Sequence, residues 1–305
     1  MQRLLVTGRH GFVGKTLADM VSGNAVSSGW QLVATPETLD VRDRDAVKAL
    51  VADAPPDAVI HLAAQSSVPD AFRDPGATLE VNIVGTLNLL QALHGVAFRG
   101  RMLYVGTGDV YGRVNEADLP VTESHPPAPR NPYSVSKLAA EALCRQWTMT
   151  EGMNIVLARP FNHIGRGQSA RFVVSDFASQ VAAIKRGKRD SFVVAGDVDV
   201  TRDFTDVRDV VLAYFALLDA GSTGEIYNVC SGQERSIRFV LGRLAHPAGV
   251  EVSIRTDAAR LRNAEQRRMC GDASKIQRDT GWAAATPLDE SLAAMLDYWE
   301  SETHE

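Results

Sequence analysis

The stretch Asn131-Pro132-Tyr133-Ser134-Val135-Ser136-Lys137 sets a phenol and an ammonium four residues apart, at the head of a segment rich in Ala, Leu, Glu and Lys. On a helix that spacing puts both side chains on one face. A free tyrosine has a pKa of about 10, too high to exchange a proton easily near neutrality. An adjacent ammonium stabilises the phenolate and lowers that value, so the two residues make a candidate proton-transfer unit. Tyr-x-x-x-Lys alone is a common accident of helices, so its setting matters. A second reactive stretch, Val105-Gly106-Thr107-Gly108-Asp109-Val110-Tyr111-Gly112, carries a hydroxyl and a carboxylate two residues apart at the apparent end of a strand. Asp109 reads there as a second catalytic group or as a turn residue.

A third stretch, Thr7-Gly8-Arg9-His10-Gly11-Phe12-Val13-Gly14, follows an apolar run and opens a helical pattern. Its glycines allow a tight turn, close approach of backbone N–H groups to a pyrophosphate, and contact between helix and strand. The helix N-terminus adds partial positive charge at the same point. At the first strand of a βαβ series this spacing reads as a dinucleotide site rather than a plain turn. An acidic residue directly after the second strand would bind a free ribose 2′-hydroxyl. Here that strand ends at Ala34-Thr35-Pro36, Glu37 comes slightly late, and Arg9 is placed to meet a 2′-phosphate. The expectation is NADPH, with NADH as the second choice and Arg9 as a surface residue as the plain reading. Asp40 and Val41 are candidates for the adenine edge, through the carboxylate and the backbone; Asp40 also reads as a helix cap.

The elements that must hold these groups alternate. Short apolar runs at Arg3–Thr7, Gln31–Thr35, Ala58–Leu62, Arg101–Val105 and Ile155–Leu157 read as strands. Between them, Phe12–Val21, Asp43–Ala52, Val81–Leu93 and Tyr133–Thr150 read as helices. Fully apolar strands alternating with helices predict an α/β, doubly wound parallel sheet of Rossmann type. Helices are also expected at Phe172–Ile184, Val207–Leu218 and Leu288–Trp299, with one returning strand at Glu225–Val229. The expected organisation is a cofactor domain over residues 1–160 plus about 205–232, and a smaller α/β substrate lobe over about 161–204 and 233–305.

Composition narrows the class. The 305 residues carry a formal charge of −5 with no dominant Lys/Arg block, which argues against a nucleic-acid partner. No apolar run is long enough to span a membrane, and the N-terminus enters a strand directly, so a cytoplasmic enzyme is expected. Cys144, Cys230 and Cys270 are widely spaced with no CxxC, which reads as reduced structural thiols and no metal site.

Taken together, TGxxGFxG from Thr7, HLAA at 61–64, Thr107, YxxxK at 133–137 and RPFN at 159–162 resemble the extended short-chain dehydrogenase/reductase family over essentially the whole chain. The resemblance implies a catalytic trio of Thr107, Tyr133 and Lys137, with Lys137 also binding the nicotinamide ribose. It implies cofactor contacts at Leu62, Ala63 and Ala64, and Phe161 packed near the nicotinamide amide.

RPFNHIG, GQSARFVVSDFA, RDFTDVRDVVLAY and GDASKIQRDTGW further resemble the GDP-mannose branch of that family. By this resemblance Asn162, Arg202, Arg262 and Glu265 hold the diphosphate and ribose of a GDP-linked 4-keto-6-deoxy sugar. Arginines suit that task because a guanidinium donates two charge-assisted hydrogen bonds to a phosphate. Asn263 stands where the branch carries proline after the arginine. The implied reaction is reduction of the C4 ketone of GDP-4-dehydro-6-deoxy-D-mannose to GDP-D-rhamnose. The alternatives are a 4,6-dehydratase or another nucleotide-sugar epimerase. Asp109 falls where the dehydratases carry a glutamate base, one methylene short of it, and a displacement of about 1 Å is costly for proton transfer. The resemblance also implies a homodimer in which Ala77–Leu93 and Tyr133–Thr150 pair across a two-fold axis as a four-helix bundle.

Overall fold

The structure, a computed structural model, describes residues 1–23, 25–26, 29–260 and 266–302. Its first part runs β1 (Gln2–Thr7), α1 (Phe12–Ser22), β2 (Trp30–Leu32), α2 (Arg44–Asp53), β3 (Ala58–His61), α3 (Val68–Arg73) and α4 (Pro75–Leu79). A π-helical segment (Glu80–Val84) joins α4 to α5 (Gly85–Gly95). There follow β4 (Arg101–Val105), α6 (Pro132–Glu151) and β5 (Ile155–Pro160), then β6 (Asn162–Ile164), α7 (Val173–Lys185), β7 (Phe192–Ala195), β8 (Thr201–Asp206), α8 (Val207–Ala220) and β9 (Ile226–Val229). The chain ends with β10 (Glu234–Ser236), α9 (Ile237–Ala248), β11 (Ser253–Thr256), α10 (Ser274–Thr280) and α11 (Leu288–Ser301).

Six strands form one parallel sheet in the order β2-β1-β3-β4-β5-β9. All six residues of β5 and all four of β3 are buried, as both-face coverage by helices demands. The winding reverses between β1 and β3. The carboxyl ends of those strands therefore border the crevice where such sheets take ligands. One core layer joins β1, β4, β5 and β9 to α8 through Leu4, Val6, Leu103, Val156, Tyr214 and Tyr227; a second, on the other face, joins α2, α5 and α6 through Val47, Leu89, Leu93, Ala140 and Cys144. A separate core of Phe177, Val181, Val193, Leu241, Leu244 and Leu292 unites α7, β7, α9 and α11. The three cysteines are buried free thiols. Among the described residues no helix is long and apolar enough to cross a membrane.

Several elements differ from expectation. The second strand pairs only over Trp30–Leu32, because the chain leaves the sheet edge after Val33 donates to the Leu4 carbonyl. The fifth runs on to Pro160, paired with β9 throughout its second half. The helix expected from Val81 starts at Pro75, where Asp74 caps the Ala77 N–H at 2.9 Å and proline occupies the first turn without losing a bond.

Candidate active site

The glycine loop has the geometry its spacing predicts. Gly8 takes φ +72°, and a Cβ there would stand 2.7 Å from the Ala63 N and 2.9 Å from the Leu62 carbonyl carbon. A Cβ on Gly14 would stand 2.4 Å from the Gly8 carbonyl oxygen, so helix α1 meets the loop backbone to backbone. Gly11 begins α1 with no side-chain cap and no acidic residue in the first turn. The first-turn N–H groups are left for an anion. Phe12 stacks on His163 at 6.1 Å and 10°, which ties the loop to the strand end beyond β5. Val13 packs against the main core. Arg9 is half-buried.

Asp40 and Val41 are arranged otherwise than a cap would be. Asp43, not Asp40, caps α2, accepting from Asp45 and Ala46 N–H. The Asp40 carboxylate accepts from the Arg42 backbone at 2.9 Å and pairs with its guanidinium at 2.7 Å, which holds the carboxyl below the usual carboxylate range. Val41 is buried against Gly85, and its carbonyl accepts from the Asn88 side chain.

Helix α6 starts where Asn131 and Ser134 cap each other's backbone N–H groups and Pro132 fills the first turn. That cap places Tyr133 on the first turn and Lys137 one turn on, facing the end of β4. Thr107 accepts from the Asp109 N–H at 3.2 Å, which leaves its own O–H to donate toward the Tyr133 phenol. Asp109 is exposed and accepts from Asn131 Nδ2 at 3.4 Å. Burial, reinforced by the Asp109 carboxylate, pushes the Tyr133 phenol above its ordinary pKa, and the Thr107 hydroxyl opposes the rise. This reverses the downward shift expected from the Tyr–Lys spacing. The cause is geometric: the Lys137 ammonium lies 4.8 Å over the Tyr104 ring, and burial holds its own pKa down to about 8. Phe161 is buried, tilted on Tyr111 at 6.2 Å, and so close to Gly108 and Gly271 that a Cβ at either would meet its ring within 3.0 Å. The glycine loop thus meets the end of β3 at Leu62 and Ala63, while Thr107 meets Tyr133 and Phe161 packs on Gly108.

A buried relay that the motifs did not reveal connects these pieces. Leu62 N–H donates to the Thr7 carbonyl, and Ala63 N–H to Thr7 Oγ1 at 3.3 Å. The same hydroxyl meets His61 Nδ1 at 2.7 Å, and His61 Nε2 meets Thr86 Oγ1 at 3.0 Å. Thr86 donates to the Asn82 carbonyl inside the π-helical segment. The Asn82 carboxamide then clamps both backbone groups of Gln65 and donates to Ser136 Oγ, which donates to the Tyr133 carbonyl. Its sequence signal was slight: Asn82 and Thr86 are two of four polar side chains, with Asn88 and Gln91, in a largely apolar segment at 81–93.

Asn162 lies on β6 and donates to the Asp203 carbonyl at 3.4 Å. Its register partner is Phe204, two residues after Arg202, so Asn162 and Arg202 share a face of the small sheet. Arg202 Nη1 donates to the Thr201 carbonyl at 2.7 Å. Arg262 and Glu265 lie outside the described residues.

The family model for GDP-mannose 4,6 dehydratase matches residues 24–295. The chain is 50% identical over 304 residues to the GDP-6-deoxy-D-mannose reductase of Pseudomonas aeruginosa, covering 100% of this chain and 99% of that protein. It is 30% identical over 276 residues to the GDP-6-deoxy-D-talose 4-dehydrogenase of Aggregatibacter actinomycetemcomitans, covering 90% of each. The solved structure of RMD from Pseudomonas aeruginosa complexed with NADPH superposes with a TM-score of 0.93 at 50% identity over 99% of both chains.

Proposed function

Because the chain belongs to the GDP-mannose 4,6-dehydratase family, among the NAD(P)-dependent extended short-chain dehydrogenases/reductases, we propose that it reduces the C4 ketone of GDP-4-dehydro-6-deoxy-D-mannose, giving GDP-D-rhamnose. The observation that carries this reading is the 50% identity to a GDP-6-deoxy-D-mannose reductase along the full chain. Asp109 supports it too. It is shorter than the base a dehydratase needs and is already bonded to Asn131.

The crevice suits a dinucleotide. Gly8 and Gly14 let the loop close backbone to backbone on Ala63 and on the start of α1, where any Cβ would clash, and the open start of α1 offers N–H groups to a pyrophosphate. In this reading Gly8, Arg9, Gly11, Phe12, Val13 and Gly14 hold the pyrophosphate and the 2′-phosphate. Asp40 and Val41 border the adenine, Leu62 to Ala64 flank the crevice, and Phe161 backs the nicotinamide. Bound there, NADPH supplies the hydride. Tyr133 delivers its proton to the substrate O4 while Thr107 donates a hydrogen bond to the same oxygen. Lys137 offers its ammonium to the ribose. The raised phenol pKa serves this direction, since reduction requires the protonated form. Asn162 and Arg202, with Arg262 and Glu265, take the diphosphate and ribose of the sugar nucleotide.

The pure protein is expected to oxidise NADPH when given the 4-keto sugar and to leave GDP-mannose unchanged. Conversion of GDP-mannose to the keto sugar without net cofactor use would overturn the reading. Arg9→Ala is expected to raise KM for NADPH about 10- to 100-fold, the worth of one charge-assisted hydrogen bond, and to leave KM for NADH near its starting value. Equal losses for both cofactors would remove Arg9 from the 2′-phosphate.

The protein acts in this reading as a cytoplasmic homodimer, with residues 1–160 and about 205–232 forming the cofactor domain. Exposed Leu79, Val84 and Val135, on α4, the π-helical segment and α6, support a dimer through these helices. Sedimentation of the pure protein measures that mass, and a monomer would rule the bundle out.

A further inference from the structure

Lys137 keeps its ammonium in a place with little to sustain a charge. The residue is 3% exposed, its Nζ faces the Tyr104 ring, and among the described residues it donates no hydrogen bond to another side chain. Glu141 stands one turn further along the same face of α6. Both of its oxygens are taken by Arg159 at the end of β5, from Nε at 2.8 Å and from Nη2 at 2.6 Å. The two side chains are each 3% exposed. Arg159 also lies 4.8 Å from the Tyr111 ring, with its Nη1 buried and unpartnered. A buried ion pair is a poor stabiliser, since apolar side chains of similar volume often do as well or better. Its position beside the lysine calls for another reason.

The groups around Lys137 narrow it. Tyr133 and Cys144 come from α6, Tyr104 from β4, His61 from β3 and Arg159 from β5. Burial pushes the Tyr104 phenol and the Cys144 thiol well up, so both are neutral at working pH. Burial, with the Lys137 charge, drives His61 down to about 3, so it is neutral as well. The Asp109 carboxylate acts on Tyr133. Among the described residues, Glu141 is the anion that remains for Lys137.

We infer that Glu141 is a positioning residue for the proton transfer: its carboxylate is the counter-charge that keeps the buried Lys137 ammonium protonated, and Arg159 sets how much of that charge Lys137 receives. This rests on the Tyr133–Lys137 reading of the active site. It makes the two partners act on Lys137 in opposite senses. Removing the carboxylate destabilises the ammonium, whereas removing Arg159 leaves the carboxylate to Lys137 alone.

The test follows the ε-carbon NMR signal of 13C-labelled lysine through a pH titration without substrate, with Lys137 assigned by Lys137→Met, alongside the pH profile of kcat. In Glu141→Gln the Lys137 titration is expected to fall by about one pH unit or more, and the alkaline limb of kcat to move with it. Arg159→Met is expected to move both upward. Should Glu141→Gln fail to fold, Glu141→Leu/Arg159→Met, which replaces both charges with apolar groups of similar size, is expected to shift in the direction of Glu141→Gln. A lower kcat with an unmoved limb and an unmoved titration in these folded variants would overturn the proposal. A wild type that leaves the keto sugar unreduced while the titrations move as stated would end the proposed reaction and leave this proposal standing.

Discussion

Tyr133→Phe is expected to lower kcat for reduction of the keto sugar by about 10³-fold, inside the 10²–10⁴ range that a positioned proton donor contributes. Phenylalanine keeps the ring, so the contacts around it survive and only the hydroxyl is lost. The neighbours supply no substitute: Thr107 is a far weaker acid, Lys137 is turned over Tyr104, and Asp109 bonds Asn131. In the proposed reading NADPH is held by backbone at Gly8, Gly14 and Leu62 to Ala64, so binding of the cofactor should stay near wild type. The measurement is NADPH oxidation under saturating keto sugar, together with NADPH affinity by fluorescence. Turnover close to wild type would remove Tyr133 from the reaction. Lost affinity together with lost turnover would mark a structural role instead.

Gly8→Ala carries the second large effect, and it acts through the backbone. An alanine forced to φ +72° costs about 1–2 kcal/mol. The new Cβ also falls 2.7 Å from the Ala63 N and 2.9 Å from its Cα. Those atoms belong to main chain held by the hydrogen bonds from Leu62 and Ala63 to Thr7, so they cannot swing aside as a flexible side chain would. Overpacking of this kind adds about 1–3 kcal/mol. A loss of roughly 2–5 kcal/mol and a Tm lower by several degrees follow from the sum. NADPH binding should be lost with it, because the strain opens the turn that offers N–H groups to the pyrophosphate. Gly11→Ala is the comparison for stability. Gly11 has φ −76°, and a Cβ there would stand 3.3 Å from the Gly8 carbonyl oxygen. If Gly8→Ala melts with the wild type and still binds NADPH, the close approach of the two strand ends does not shape the site.

The legible part of the protein was what repeats over a few residues. The apolar runs 101–105 and 58–62 and the helical spacing of 133–150 predicted β4, β3 and α6 to within a residue or two. The glycines at 8, 11 and 14 predicted a loop whose one positive φ falls at Gly8. Less legible were element ends decided by partners elsewhere. Strand β5 continues to Pro160 because β9 pairs with it, although its own sequence turns polar at Arg159. Asp40 read as a possible cap, but Asp43, three residues on, has the side-chain geometry, and Arg42 claims Asp40.

The sequence by itself therefore determined the doubly wound sheet, the glycine loop, and the placing of Tyr133 and Lys137 on one helical face, since each follows from spacing within a single segment. Only the tertiary structure decided what surrounds them. Asn82 reaches Gln65 and Ser136, and Glu141 closes on Arg159 across 18 residues and two elements. No local period encodes such contacts, because they form only when the packed sheet and helices bring distant segments together and leave buried polar groups to find partners there. The same packing turned Lys137 onto Tyr104 and raised the Tyr133 phenol, where spacing alone pointed to a lowered one.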